Sequence, residues 1–275
     1  MNRIYNTLQS LAEQGRKALV PYIVCGDPTP NATLPMLLAL AENGADIIEL
    51  GVPFSDPMAE GPVIQKGHER ALAQGMSLLQ TLKIVSQFRQ TNQHTPIVLM
   101  GYANPIERMG YQRFVEQAGA AGVDGVLTVD LPPEEAEEFN ALLKKGNMEN
   151  IFLIAPTTTR EREEMITQLA GGYLYYVSLK GVTGAGHLDL DSVKTKVSEI
   201  KTLTSLPVCV GFGIKDPTSA AAICEVADGA VVGSVLVDKI AQLNMAGEIS
   251  SDRIAGEVSA IIKEMRTAID QLGKN

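Results

Sequence analysis

Eight runs rich in Val, Ile and Leu recur along the chain, at 18–25, 45–51, 96–102, 122–129, 150–155, 173–178, 207–211 and 228–233. None alternates polar and apolar residues as a half-solvated sheet does. Unbroken apolar runs suit strands covered on both faces, so the pattern predicts parallel strands with helices outside them. Helical spacing fills the intervals. Leu34, Leu37, Leu38 and Leu40 mark a helix over 33–43, and Ala136, Phe139 and Leu143 mark one over 134–145. Met165, Ile166 and Leu169 share a predicted face over 160–170, as do Val193, Val197 and Ile200 over 191–203. Ahead of the first run, Ile4, Leu8 and Leu11 line an N-terminal helix. Beyond the last, Ile254, Val258, Ile261, Met265 and Ile269 line a C-terminal one.

Eight strand–helix alternations predict an α/β fold, a closed (β/α)8 barrel. An open doubly wound sheet is the alternative. The count of eight speaks against it, as does the absence of a GxGxxG turn after the first run. The expectation is one barrel domain over 1–275, with the extra N-terminal helix and long loops after strands two and six. The second interval, between 51 and 96, has room for a long loop plus a helix, and oversized loops in such folds usually carry function.

Composition narrows the classes. The chain has 275 residues, 45% of them apolar, and a formal charge of −9. An acidic balance argues against nucleic-acid binding, yet leaves room for a phosphorylated small substrate, because backbone N–H groups alone make a local anion site. Cys25, Cys209 and Cys224 are scattered, and His68, His94 and His187 show no metal-ligand spacing. Reduced thiols, a cytoplasmic location and no bound metal are expected. The opening MNRIYNTLQSLAEQG lacks the apolar run of a signal peptide, and no apolar stretch is long enough to span a membrane.

Three segments carry candidate chemistry. Glu49 interrupts the apolar strand IIELG near its C-terminal end. It is either an ion-paired strand-end group or a general acid/base whose pKa desolvation raises. The following loop, SDPMAEGP, carries Asp56 and Glu60 among stiffening prolines, either as solvated acids or as groups presented over the barrel mouth. Third, Gly211-Phe212-Gly213-Ile214 closes strand seven and Gly233-Ser234 closes strand eight. Barrels frequently hold phosphate between these two loops, where glycine admits an anion and Ser234 is a suitable helix cap. A flexible glycine-rich loop, Gly181-Val182-Thr183-Gly184-Ala185-Gly186, follows strand six and is expected to close on a ligand.

The segments IIELGVPFSDP, YANP, SLKGVTGAG, VGFGI and VVGSVLV stand in order along nearly the whole chain. In these segments the chain resembles the tryptophan synthase α-subunit family. The resemblance implies a lyase that splits indole-3-glycerol phosphate into indole and glyceraldehyde 3-phosphate. It implies no cofactor on this chain, and an α2β2 complex with a β subunit that carries pyridoxal phosphate. It places the catalytic glutamate at Glu49. The family's second catalytic carboxylate is an aspartate in DPLADGP, and Glu60 in DPMAEGP stands at that position. Phosphate contacts fall on Gly184, Phe212, Gly213, Gly233 and Ser234. Pocket lining and the closing-loop hydroxyl fall on Tyr22, Met100, Tyr102, Leu127, Tyr175 and Thr183, and partner contact on Asp56 and Pro57.

That reaction accounts for the residue types. A neutral acid protonates the indole ring carbon, its conjugate base takes the glycerol hydroxyl proton, and a second carboxylate stabilises charge at the ring nitrogen. Two alternatives stay open at this stage. One is another phosphate-binding barrel enzyme, of aromatic or thiamine biosynthesis. The other is a non-catalytic or weakly active regulatory subunit that has lost activity through the change at position 60.

Overall fold

The computed structural model describes residues 2–178, 190–211, 213–247 and 250–272. Eight parallel strands close into a barrel in sequence order. They are β1 (Ala18–Val24), β2 (Ile48–Gly51), β3 (Ile97–Gly101), β4 (Gly125–Thr128), β5 (Glu149–Ile154), β6 (Leu174–Val177), β7 (Val208–Gly211) and β8 (Gly229–Val232). Each lies inside an apolar run of the sequence or within one residue of it. The α-helices among the described residues are α1 (Arg3–Glu13), α2 (Pro30–Glu42), α3 (Pro62–Ala73), α4 (Leu78–Thr91), α5 (Ala103–Met109) and α6 (Tyr111–Ala121). They continue with α7 (Glu137–Lys145), α8 (Arg160–Leu169), α9 (Leu190–Lys201), α10 (Pro217–Val226), α11 (Ser234–Met245) and α12 (Ser251–Ile269).

Alternation along each strand divides the core in two. Val20, Ile47, Val98, Leu127, Ile151, Tyr173, Cys209 and Val231 fill the barrel interior. The opposite faces pack against the helices. Helix α1 closes the floor with Ile4, Leu8 and Leu11. Ile4 reaches so close to Gly125 and Gly172 that a Cβ at either would come within 2.9 and 3.1 Å of it. Asp124 ties this end together, accepting from Arg3 at 2.8 Å, from Arg89 at 2.7 Å and from the Ile97 N–H at 2.9 Å.

Several expectations are corrected. The interval between β2 and β3 holds two helices, α3 and α4, rather than one. Met165 is 37% exposed instead of sharing the buried face of α8. That face runs through Ile166 and Glu163, whose carboxylate is buried because Lys196 of α9 pairs with it at 2.5 Å. On α12 Ile262 is buried along with Ile254 and Ile269, and Ile261 only flanks the core. Ser234 is the first residue of α11 rather than its cap; Gly233 occupies the cap and offers no side-chain bond.

Candidate active site

Strand β2 carries a carboxylate into the barrel. Glu49 pairs in register with Tyr22 of β1 and Val98 of β3, and it is 0% exposed. Burial pushes its carboxyl from 4.5 up to about 7, against a hydrogen bond from Tyr173 that pulls it down. The Tyr173 hydroxyl donates to Oε1 at 2.5 Å. Oε2 has no hydrogen-bond partner among the described residues. A group that titrates near neutrality serves equally as proton donor and acceptor.

Residues 52–61 run from β2 to α3 and are fastened by side chains from outside the segment. Phe54 stacks on Tyr102 with ring centroids 5.0 Å apart, and the Ala59 N–H donates to the Tyr102 hydroxyl at 3.2 Å. From α3, Gln65 Nε2 donates to the Glu60 carbonyl at 2.8 Å. His68, on the same helix, lies 2.9 Å from Oε2 of Glu60 through Nε2 and 3.2 Å from the Tyr22 hydroxyl. The Glu60 side chain is only 5% exposed. It is therefore not a solvated loop acid. Asp130, the other acid near these strand ends, is exposed and accepts from the Ala103 N–H at 2.7 Å, at the start of α5.

Aromatic and apolar side chains connect the two acids. Burial raises the Tyr22 hydroxyl well above its ordinary value, and the charges of Glu60, Tyr102 and Glu49 raise it further. Burial does the same to Tyr175, with Glu49, Cys209 and Glu60 adding to it. Both tyrosines thus lie within electrostatic reach of both carboxylates. Their hydroxyls need glycine neighbours. A Cβ at Gly51 would overlap the Tyr22 hydroxyl, and one at Gly211 would overlap that of Tyr175. Leu127 is buried on the interior face, with Met100 partly buried beside it. Tyr102 is buried beneath the 52–61 segment, so its hydroxyl serves that segment.

The ends of β7 and β8 supply the anion-binding candidates. Gly213 has φ +77°, a conformation that favours glycine. Gly233 backs onto Tyr22, with 3.4 Å between a Cβ built there and Cδ1 of the ring. Ser234 opens α11, where the Leu236 N–H donates to the Gly233 carbonyl at 2.9 Å and the helix N-terminus carries partial positive charge. Thr183, Gly184 and Phe212 lie outside the described residues. Of the two partner-contact candidates, Asp56 is exposed and Pro57 buried; Met58 beside them is 82% exposed.

Sequence reasoning missed two contributors. Tyr173 was legible by parity, since it stands two residues before Tyr175 and shares its inward face. His68 had no local signal, because its partners arrive through the tertiary fold.

A family model described as tryptophan synthase alpha chain matches residues 8–269. The tryptophan synthase alpha chain of Nitrosococcus oceani is 56% identical over 98% of each chain. That of Methylococcus capsulatus is 54% identical, over 98% of this chain and all (100%) of the relative. Among solved structures, tryptophan synthase subunit alpha from Legionella pneumophila superposes with a TM-score of 0.91 at 46% identity, covering 99% of this chain and 100% of the other. Tryptophan synthase from M. tuberculosis, in an aminoacrylate-bound form, gives 0.85 at 31% identity over 98% and 100% of the two chains.

Proposed function

The chain belongs to the tryptophan synthase alpha chain family, whose subunits cleave indole-3-glycerol phosphate within an α2β2 complex, and from that premise we propose how its residues divide the work. Glu49 is the acid/base. Protonated, it delivers its proton to the ring carbon that bears the glycerol chain. The ring becomes iminium-like, and the Glu49 carboxylate then takes the proton of the adjacent glycerol hydroxyl. As the aldehyde forms, the carbon–carbon bond breaks and its electron pair returns to the ring. Indole and glyceraldehyde 3-phosphate leave, and Glu49 is protonated again. Glu60 accepts from the ring N–H while positive charge develops there. Tyr22, Met100, Leu127 and Tyr175 form the apolar slot for indole.

The phosphate is held by backbone N–H groups at Gly213, Gly233 and Ser234; Gly184 and Phe212, which belong to the same contact set, and Thr183, the closing-loop hydroxyl, lie outside the described residues. Asp56, Pro57 and the neighbouring Met58 meet the β subunit. Pyridoxal phosphate belongs to that subunit, and this chain needs no cofactor of its own. Residues 1–275 act as one catalytic domain. No helix among the described residues is long and apolar enough to cross a membrane, and the cytoplasm is the expected location.

One observation carries this reading: a carboxyl wholly buried at the strand end, raised to about 7, with one oxygen unpartnered among the described residues. A regulatory subunit without chemistry would have no use for so costly a group, and the burial of Glu60 argues the same way. The test is indole release from indole-3-glycerol phosphate, followed with and without a saturating β subunit. Turnover that rises in the complex is expected. No release under either condition would favour the regulatory alternative.

A further inference from the structure

We propose that His68 is the positioning residue of Glu60, fixing the second carboxylate at the distance the indole ring requires. The proposal rests on the reading of Glu60 given above. His68 is 1% exposed and makes its contacts through both ring nitrogens. The Phe54 N–H donates to Nδ1 at 3.1 Å. Nδ1 therefore presents a lone pair, and the neutral ring keeps its proton on Nε2. That proton faces Oε2 of Glu60 at 2.9 Å, with the Tyr22 hydroxyl at 3.2 Å. One imidazole thus grips the 52–61 segment near its start, at Phe54, and near its end, at Glu60.

The support behind the ring is rigid. Arg70, on the same helix, makes two hydrogen bonds to the buried Asp27 at 2.7 and 2.8 Å. At Gly67 an added Cβ would come within 3.0 Å of Val237 and 3.1 Å of Asp27, so α3 sits close against its neighbours. Anchoring matters here because glutamate has one more rotatable bond than aspartate, and its carboxylate wanders unless something holds it. His68 holds Oε2, while Oε1 makes no hydrogen bond among the described residues and is left for the ring N–H. A carboxylate displaced by about 1 Å can lose on the order of 10²-fold in rate.

The two amide replacements separate the two grips. The side-chain amide of asparagine reaches the place of Nδ1, and that of glutamine the place of Nε2. His68→Asn keeps an acceptor for Phe54 and loses Glu60; His68→Gln keeps a donor for Glu60 and loses Phe54. In the α2β2 complex, His68→Asn should lower kcat by about 10- to 100-fold with little change in KM or in glyceraldehyde 3-phosphate affinity. His68→Gln should retain more of kcat. In a Glu60→Ala background, His68→Asn should cost almost nothing further, because the group it positions is gone.

A full cost of His68→Asn in that background would overturn the proposal, as would unchanged kcat in the single variant. A fully active Glu60→Ala enzyme would remove the reading of Glu60 and this proposal together. An impaired Glu60→Ala enzyme beside an unaffected His68→Asn enzyme removes this proposal alone. If His68→Asn does not fold, ¹⁵N NMR of the unaltered protein decides: a proton on Nδ1 rather than Nε2 of His68 would overturn the assignment.

Discussion

Tyr173 and Glu49 meet across the barrel, from just before β6 and from β2 on the opposite side of the closed sheet, with the phenol hydroxyl 2.5 Å from Oε1. This bond opposes burial, which alone would drive the carboxyl higher than about 7. Tyr173 therefore tunes the Glu49 carboxyl, which the proposed function makes the acid. Because the acid must be protonated to act, kcat/KM should fall as pH rises through about 7. Tyr173→Phe should move that descending limb to higher pH. A pH–rate profile of the variant checks it, and an unmoved limb would mean that Tyr173 does not tune the acid.

Glu49→Gln keeps an acceptor for Tyr173 but cannot move a proton. Cleavage should drop by at least about 10²- to 10⁴-fold, while glyceraldehyde 3-phosphate binding and the folded structure survive. Single-turnover kinetics and ligand titration on the same preparation separate the two effects. Near-normal turnover would sink the assignment.

The same variant should alter stability in a pH-dependent way. Burial raises the folded-state pKa of Glu49 from 4.5 to about 7, so between those values the folded chain binds more protons than the unfolded one. Its contribution is fully present below about 4.5 and is lost as pH rises through about 7. Relative to Glu49→Gln, which stays neutral, the unaltered protein should lose on the order of 3 kcal/mol between about pH 5 and pH 8. Urea melts of both proteins across that range test the difference; parallel curves would contradict the raised pKa.

Glu60→Asp withdraws the carboxylate by about 1.5 Å and pulls it from His68. Its turnover should fall between that of the unaltered enzyme and that of Glu60→Ala. Steady-state kcat for the three proteins checks the order, and full activity in Glu60→Ala would make the loop acid a bystander.

Gly211→Ala should disturb the slot rather than the phosphate loops. The added methyl collides with the Tyr175 hydroxyl, so destabilisation of about 1–3 kcal/mol, typical of overpacking, is expected. Substrate affinity should weaken with it. Gly233→Ala meets only ordinary contacts at 3.4 Å or more, so it should keep its melting temperature. A Gly211→Ala protein as stable as Gly233→Ala would show that the tyrosine moves aside freely.

The barrel was legible because strands covered on both faces leave an unbroken apolar signature, and every such run became a strand. Glu49 was legible for the same reason, as an acid set between apolar neighbours near the C-terminal end of such a run, whereas Asp46, Asp124 and Asp228 stand at or near the starts of theirs. Helix faces were less so. Met165 reads as core by spacing, and only the Glu163–Lys196 pair, a contact between two helices, shows why the acid took its place. Glu60 was open to two readings because a loop acid's burial depends on what folds over it. Its holder, His68, stands eight positions along the chain in a helix that the sequence pattern did not resolve from its neighbour.

Helix α1 closes the floor by seating Ile4 against Gly125 and Gly172. A ribosome makes Ile4 long before it makes either glycine. Throughout that interval Ile4 lacks the two glycines it seats against. Elongation, rather than the helix's own readiness, sets the earliest moment at which the floor can close. Until then the nascent chain carries Ile4 without its final seat, the kind of transiently exposed apolar surface that chaperones bind.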